Sequence, residues 1–98
     1  MGPFVWSHAK NALLMAERGL CFEAVVAAVE VDGLLDVLEH PNQSRYPGQR
    51  VMVVRLNAYA HLVPFVETDS GLFLKTIIPS RRAQRDYTND PSPGEQDA

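Results

Sequence analysis

Two β-rich runs, Arg50 to Leu56 and Tyr59 to Val66, are separated only by Asn57-Ala58. A two-residue turn there folds one run back on the other as an antiparallel hairpin, with asparagine as the residue that tolerates the turn conformation. The pairing then follows by counting. Arg55 lies opposite Ala60 and His61 opposite Val54, so Arg55 and His61 occupy different faces of the sheet. A third run, Leu72 to Ile78, follows Thr68-Asp69-Ser70-Gly71 and extends the meander. With a four-residue connection at 68–71, Lys75 falls on the Arg55 face and Thr76 on the His61 face. Pro64 has no N–H to give a ladder, which calls for an edge position or a bulge.

The first third of the chain has a different period. Phe4-Val5-Trp6 reads as a short strand, and Ser7 is placed to cap a helix running to about Arg18, where Gly19 supplies a left-handed stop. Ala9, Leu13, Leu14 and Ala16 give that helix its apolar stripe. Phe22, Val25, Val26 and Val29 recur at i, i+3, i+4 and i+7 in a second helix from about Phe22 to Val31, ended by Asp32-Gly33. Leu34 to Glu39 is strand-like, 40–49 has loop composition, and Arg81 to Tyr87 is a short helix. Helices first and an antiparallel sheet afterwards make an α+β fold, with the helical pair on one face and the opposite face left free. Residues 1–87 form one domain. Residues 88–98, rich in Pro, Gly and acids, form a disordered acidic tail.

A chain of 98 residues with 46% hydrophobic content can build one core. No apolar segment is long and uncharged enough to span a membrane, and a cytoplasmic protein without membrane contact is expected. Cys21 is the only cysteine, and His8, His40 and His61 match no zinc-ligand spacing, so neither a metal nor another cofactor is expected. The net charge of −3 argues against a polyanion partner until it is divided. Residues 88–98 carry Asp90, Glu95 and Asp97, the whole deficit. Residues 11–44 hold Arg18 against Glu17, Glu23, Glu30, Asp32, Asp36 and Glu39. Residues 45–85 hold Arg45, Arg50, Arg55, Lys75, Arg81, Arg82 and Arg85 against Glu67 and Asp69. A basic face on a neutral body is what a polyanion meets locally.

That charge gathers where Phe73-Leu74-Lys75-Thr76-Ile77-Ile78 ends at Pro79. Ser80 stands where a helix cap stands, and Arg81, Arg82 and Arg85 follow. A strand handing over to a capped, arginine-rich helix is a phosphate-binding edge. The plainer role for these arginines is helix-end chemistry and surface salt bridges.

Phe4-x-Trp6-Ser7-x-x-Lys10-Asn11, then Arg18-Gly19-Leu20-x-Phe22, then Ile77-Ile78-Pro79-Ser80-Arg81-Arg82-Ala83 before Tyr87, resemble the BrnT family of bacterial toxins over residues 4–87. The resemblance implies a RelE-like fold and a metal-independent endoribonuclease, the toxin of a type II toxin–antitoxin system neutralised by a cognate antitoxin. RNA is then the substrate, and DNA is met only indirectly, through the antitoxin in a repressor complex. A homodimer or a toxin–antitoxin hetero-oligomer is the expected assembly.

Metal-free RNA cleavage needs cations for the phosphorane and groups to move two protons. Arg55, Arg81 and Arg82 suit the phosphate, Lys75 can supply a cation or a proton, and His61 brings the side-chain type whose ordinary range spans neutrality. These five are the catalytic candidates. Tyr87 suits base stacking, and Lys10, by its place in the family pattern, is the second substrate-binding candidate. The chain departs from that pattern at Thr76, where the family carries an arginine. A second reading therefore stands beside the enzyme: a non-catalytic BrnT-like binding protein acting in an antitoxin or repressor complex.

Overall fold

The Asn57-Ala58 turn forms with both residues at positive φ, 55° and 62°. That geometry matches the twist of the flanking strands, so the hairpin closes without splaying. The structure, a computed structural model, describes residues 3–88. Around the hairpin of β3 (Arg50–Leu56) and β4 (Tyr59–Thr68), the chain order begins with β1 (Phe4–Val5), α1 (His8–Arg18), α2 (Phe22–Glu30) and β2 (Leu34–Glu39). It ends with β5 (Gly71–Leu74), β6 (Ile78–Pro79) and α3 (Arg81–Thr88). The strands lie in the order β1-β5-β4-β3-β2, with β6 also paired to β4. The fold is α+β and the sheet is antiparallel except where β1 runs parallel to β5. Gly71 makes that pairing possible. Its φ is +135°, and a Cβ there would collide with the Pro3 carbonyl oxygen, which instead accepts the Leu72 N–H at 2.8 Å.

The helical pair packs as expected. The Ser7 hydroxyl accepts the Lys10 N–H at 3.2 Å, and Gly19 ends α1 in the left-handed region at φ 66°. The α2 N-terminus has no cap from its own Cys21. Asn11, reaching across from α1, takes that role: its Oδ1 accepts the Phe22 N–H and its Nδ2 donates to Glu23 Oε1, both at 2.7 Å. Leu14, Phe22 and Val25 meet Met52, Val54, Val63, Phe65, Leu74 and Ile77 in the main core, with Trp6 tilted against Phe22. Arg18 ties the layers together by donating to the Ile77 carbonyl at 2.9 Å.

The second face is not left free, as the sequence pattern suggested. α3 crosses it, setting Ala83 on Val53 and Ala60 with Leu35, Leu62 and Tyr87 around them. A small residue on each side lets helix and sheet approach. Nor is Leu72 to Ile78 one strand, because β5 stops at Leu74 and β6 resumes at Ile78. Pro64 accounts for the gap. Its carbonyl accepts the Lys75 N–H at 2.8 Å, so its ring nitrogen faces the same side, into the break where no donor is needed. Proline thus sits in an inner strand, its missing donor facing the break between β5 and β6 while its pairing with Val51 stays in register. The tail expected over 88–98 lies outside the described residues except for Thr88, which closes α3.

Asn11→Ala should remove the cross-helix cap and lower stability by about 1–2 kcal/mol in denaturant titrations. The Asn11 amide is also the main reason the Glu23 carboxyl is held below its ordinary value. In the variant that carboxyl should move up toward the ordinary glutamate range when followed by NMR.

Candidate functional site

Ala60 fixes the relation between Arg55 and α3. Its carbonyl accepts the Ser80 N–H at 3.0 Å, and its own N–H donates to Gln84 Oε1 at 2.9 Å. Arg55 is the direct cross-strand partner of Ala60 and shares its face. The arginine therefore stands beside the first turns of α3, exposed to solvent. Ser80 caps that helix as expected, its hydroxyl accepting the Ala83 N–H at 3.1 Å and its carbonyl the Gln84 N–H at 3.0 Å. The N–H groups of Arg81 and Arg82 have no intrahelical acceptor and lie at the positive end of the helix dipole. Both side chains are exposed.

Arg82 is ion-paired to Asp86 one turn on, at 3.7 Å with 86% of the arginine side chain exposed. So open and long a pair holds the guanidinium weakly, leaving it ready to exchange partners. Lys75 shares the Arg55 face but sits at Pro64, four residues along β4 from Ala60. At a strand rise of about 3.3 Å per residue that is roughly 13 Å away. The structure thus puts Arg55 on the sheet face that α3 crosses, Arg81 and Arg82 on the exposed first turn of that helix, Arg82 turned with Asp86 toward Val51 and Leu62, and Lys75 at the margin.

The other candidates lie elsewhere. His61 pairs with Val54 on the main-core face, only 5% exposed. Its Nδ1 meets the Tyr59 carbonyl at 2.9 Å; a carbonyl can only accept, so Nδ1 carries the proton there. The ring is behind the sheet from Arg55. Lys10 belongs to α1, in the layer on that same rear face. Tyr87 does face the arginine side, but its hydroxyl donates to Asp36 Oδ2 at 2.8 Å, fastening α3 to β2. Among the described residues no group of three or more His, Cys, Asp and Glu side chains is placed to hold a metal.

Three residues matter here that charge and spacing alone passed over. Asp36 counted only as one of the acids of residues 11–44, yet it anchors α3 through Tyr87 and accepts the Val37 N–H through Oδ1 at 2.7 Å. Gln84 gives a side-chain oxygen to the sheet, and Asp86 holds Arg82. Only Gln84 had a signal in the sequence: its spacing with Ala83 and Tyr87 puts those three on one side of a short polar helix.

Acceptance of its hydrogen bond by Asp36 holds the Tyr87 phenol above the ordinary tyrosine value, with burial and the charges of Asp36 and Asp86 acting the same way. The folded state therefore binds this proton more tightly than the unfolded one. The stabilisation is complete below the ordinary tyrosine pKa of about 10 and is lost as pH rises through the raised value. Wild-type protein should lose stability across that alkaline window in pH-dependent unfolding, and Tyr87→Phe, which lacks the ionisable group, should not.

Compared with protein-family models, curated proteins and solved structures, the chain matches none.

Proposed function

We propose that the chain is a metal-independent endoribonuclease that cleaves single-stranded RNA in the cytoplasm, the toxin of a type II toxin–antitoxin system held inactive by a cognate antitoxin. The observation that supports the reading is the pair Arg81 and Arg82 on the exposed first turn of α3, with the two free backbone donors of that turn, on the sheet face that also carries Arg55. In such a reaction the ribose 2′-oxygen forms a bond to the adjacent phosphorus and the bond to the 5′-oxygen breaks. The proton leaving the first oxygen is balanced by one reaching the second. Guanidinium groups suit the intervening phosphorane, where charge accumulates and fixed donors act most strongly. DNA is met through the antitoxin alone.

The position of His61 favours a second reading. A buried ring behind the sheet cannot take the 2′-hydroxyl proton at the arginine cluster, and Tyr87 is engaged by Asp36. With neither His61 nor a free Tyr87 hydroxyl beside the cations, the same surface serves a non-catalytic protein that binds a partner in an antitoxin or repressor complex.

Induced expression separates the two. Under the enzyme reading the intact chain slows growth and degrades total RNA, and Arg81→Ala with Arg82→Ala lowers cleavage by about 10²–10³-fold, the usual effect of removing transition-state donors. If verified soluble protein neither slows growth nor breaks RNA, the catalytic reading is wrong.

A further inference from the structure

α3 covers only part of the second sheet face. Beside it runs a groove of about 400 Å³ floored by Leu38, Val51 and Leu62, with Ala83 and Tyr87 on the helix wall, Arg82 and Asp86 at the rim, and the exposed Glu39 also lining it. Leu38 keeps 40% of its surface exposed there. The volume falls in the range of about 300–1,000 Å³ typical of small-molecule sites. An apolar floor beside a separable cation and carboxylate specifies a ligand with two unlike parts.

We propose that this groove is a nucleotide subsite: the base lies on the Leu38–Val51–Leu62 floor, Asp86 accepts an N–H from the base edge, and Arg82 holds the phosphate of the same nucleotide. This rests on the RNA reading above and assigns where an unpaired base sits once its phosphate is at the arginines. The chemistry excludes simpler occupants. An alkyl chain fills the floor but offers Asp86 and Arg82 nothing, and a bare phosphate satisfies Arg82 while leaving the floor wet. A base has apolar faces and a polar edge, so it meets floor and rim together. The 3.7 Å Arg82–Asp86 pair is the device that opens: each partner exchanges the other for a group of the nucleotide.

The test compares the four nucleoside 5′-monophosphates with ribose 5-phosphate and with laurate, by calorimetry and by backbone amide shifts on the full chain. At least one nucleotide should bind tenfold or more tightly than ribose 5-phosphate, shifting the amides of Val51, Leu62 and Ala83. Leu38→Glu, at an exposed position that folding tolerates, should bring nucleotide affinity down to that of the sugar phosphate. Equal affinity for nucleotides and ribose 5-phosphate, base-dependent shifts confined to another part of the chain, or preference for laurate overturns the subsite. The outcomes for the two proposals part cleanly. RNA cleavage without base-dependent binding removes the subsite and keeps the ribonuclease; groove binding without cleavage keeps the subsite and removes the ribonuclease.

Discussion

The main-chain groups of Ala60 are where sheet and third helix become one structure. On its outer side β4 should have a continuing neighbour, but β6 ends at Pro79 and the chain turns into α3. The peptide groups of Ala60 would be left unpaired in a buried place, at a cost of about 1–3 kcal/mol for each unsatisfied group. Ser80 takes the carbonyl as a last strand-like bond, and the Gln84 side chain takes the N–H in place of a strand that is no longer there. The alanine side chain, fully buried, lets Ala83 come down onto the sheet. Because Arg55 is the cross-strand partner of Ala60, the same contacts set its backbone place relative to the start of α3.

Charge and core are thereby put on opposite sides of one sheet. The rear face is filled by α1 and α2 and carries His61, while the front carries Arg55, Lys75 and the arginines of α3 over a partly uncovered apolar floor. The neutral average of the body conceals this separation. A polyanion approaching the front meets exposed cations whose backbone positions are set by strand register and a capped helix, with the side-chain ends left free to adjust.

Much of this was legible from local chemistry. The Asn57-Ala58 turn set the register, and the register correctly separated Arg55 from His61 and put Lys75 with Arg55. Here Thr68 pairs with Gly71, so the turn is tighter than the loop read from sequence, but the change is even and preserves the faces. Ser7, Gly19 and Ser80 act at helix ends as their types suggest. What stayed hidden depends on contacts distant in sequence. The parallel pairing of β1 with β5 joins Phe4 to Leu72, and nothing around Phe4 encodes its direction. The docking of α3 depends on Gln84 and Tyr87, polar residues that read as surface until Ala60 and Asp36 come opposite them. Among site residues, the arginines were visible as a charge run, whereas the groove required β2, β3, β4 and α3 to be assembled first.

Asp36 spends its two oxygens in different directions, and the one facing Val37 bears on association. β2 is the outer strand of the sheet, and an outer strand with free N–H groups is a template for another chain. The irregular register between Leu34 and Asp36 already bends this strand, and the Asp36 carboxylate occupies the Val37 donor beside it. An incoming strand would have to displace an anion and straighten a bulge before it could zip on. Strand addition at this border is thus discouraged by the strand's own side chain and register.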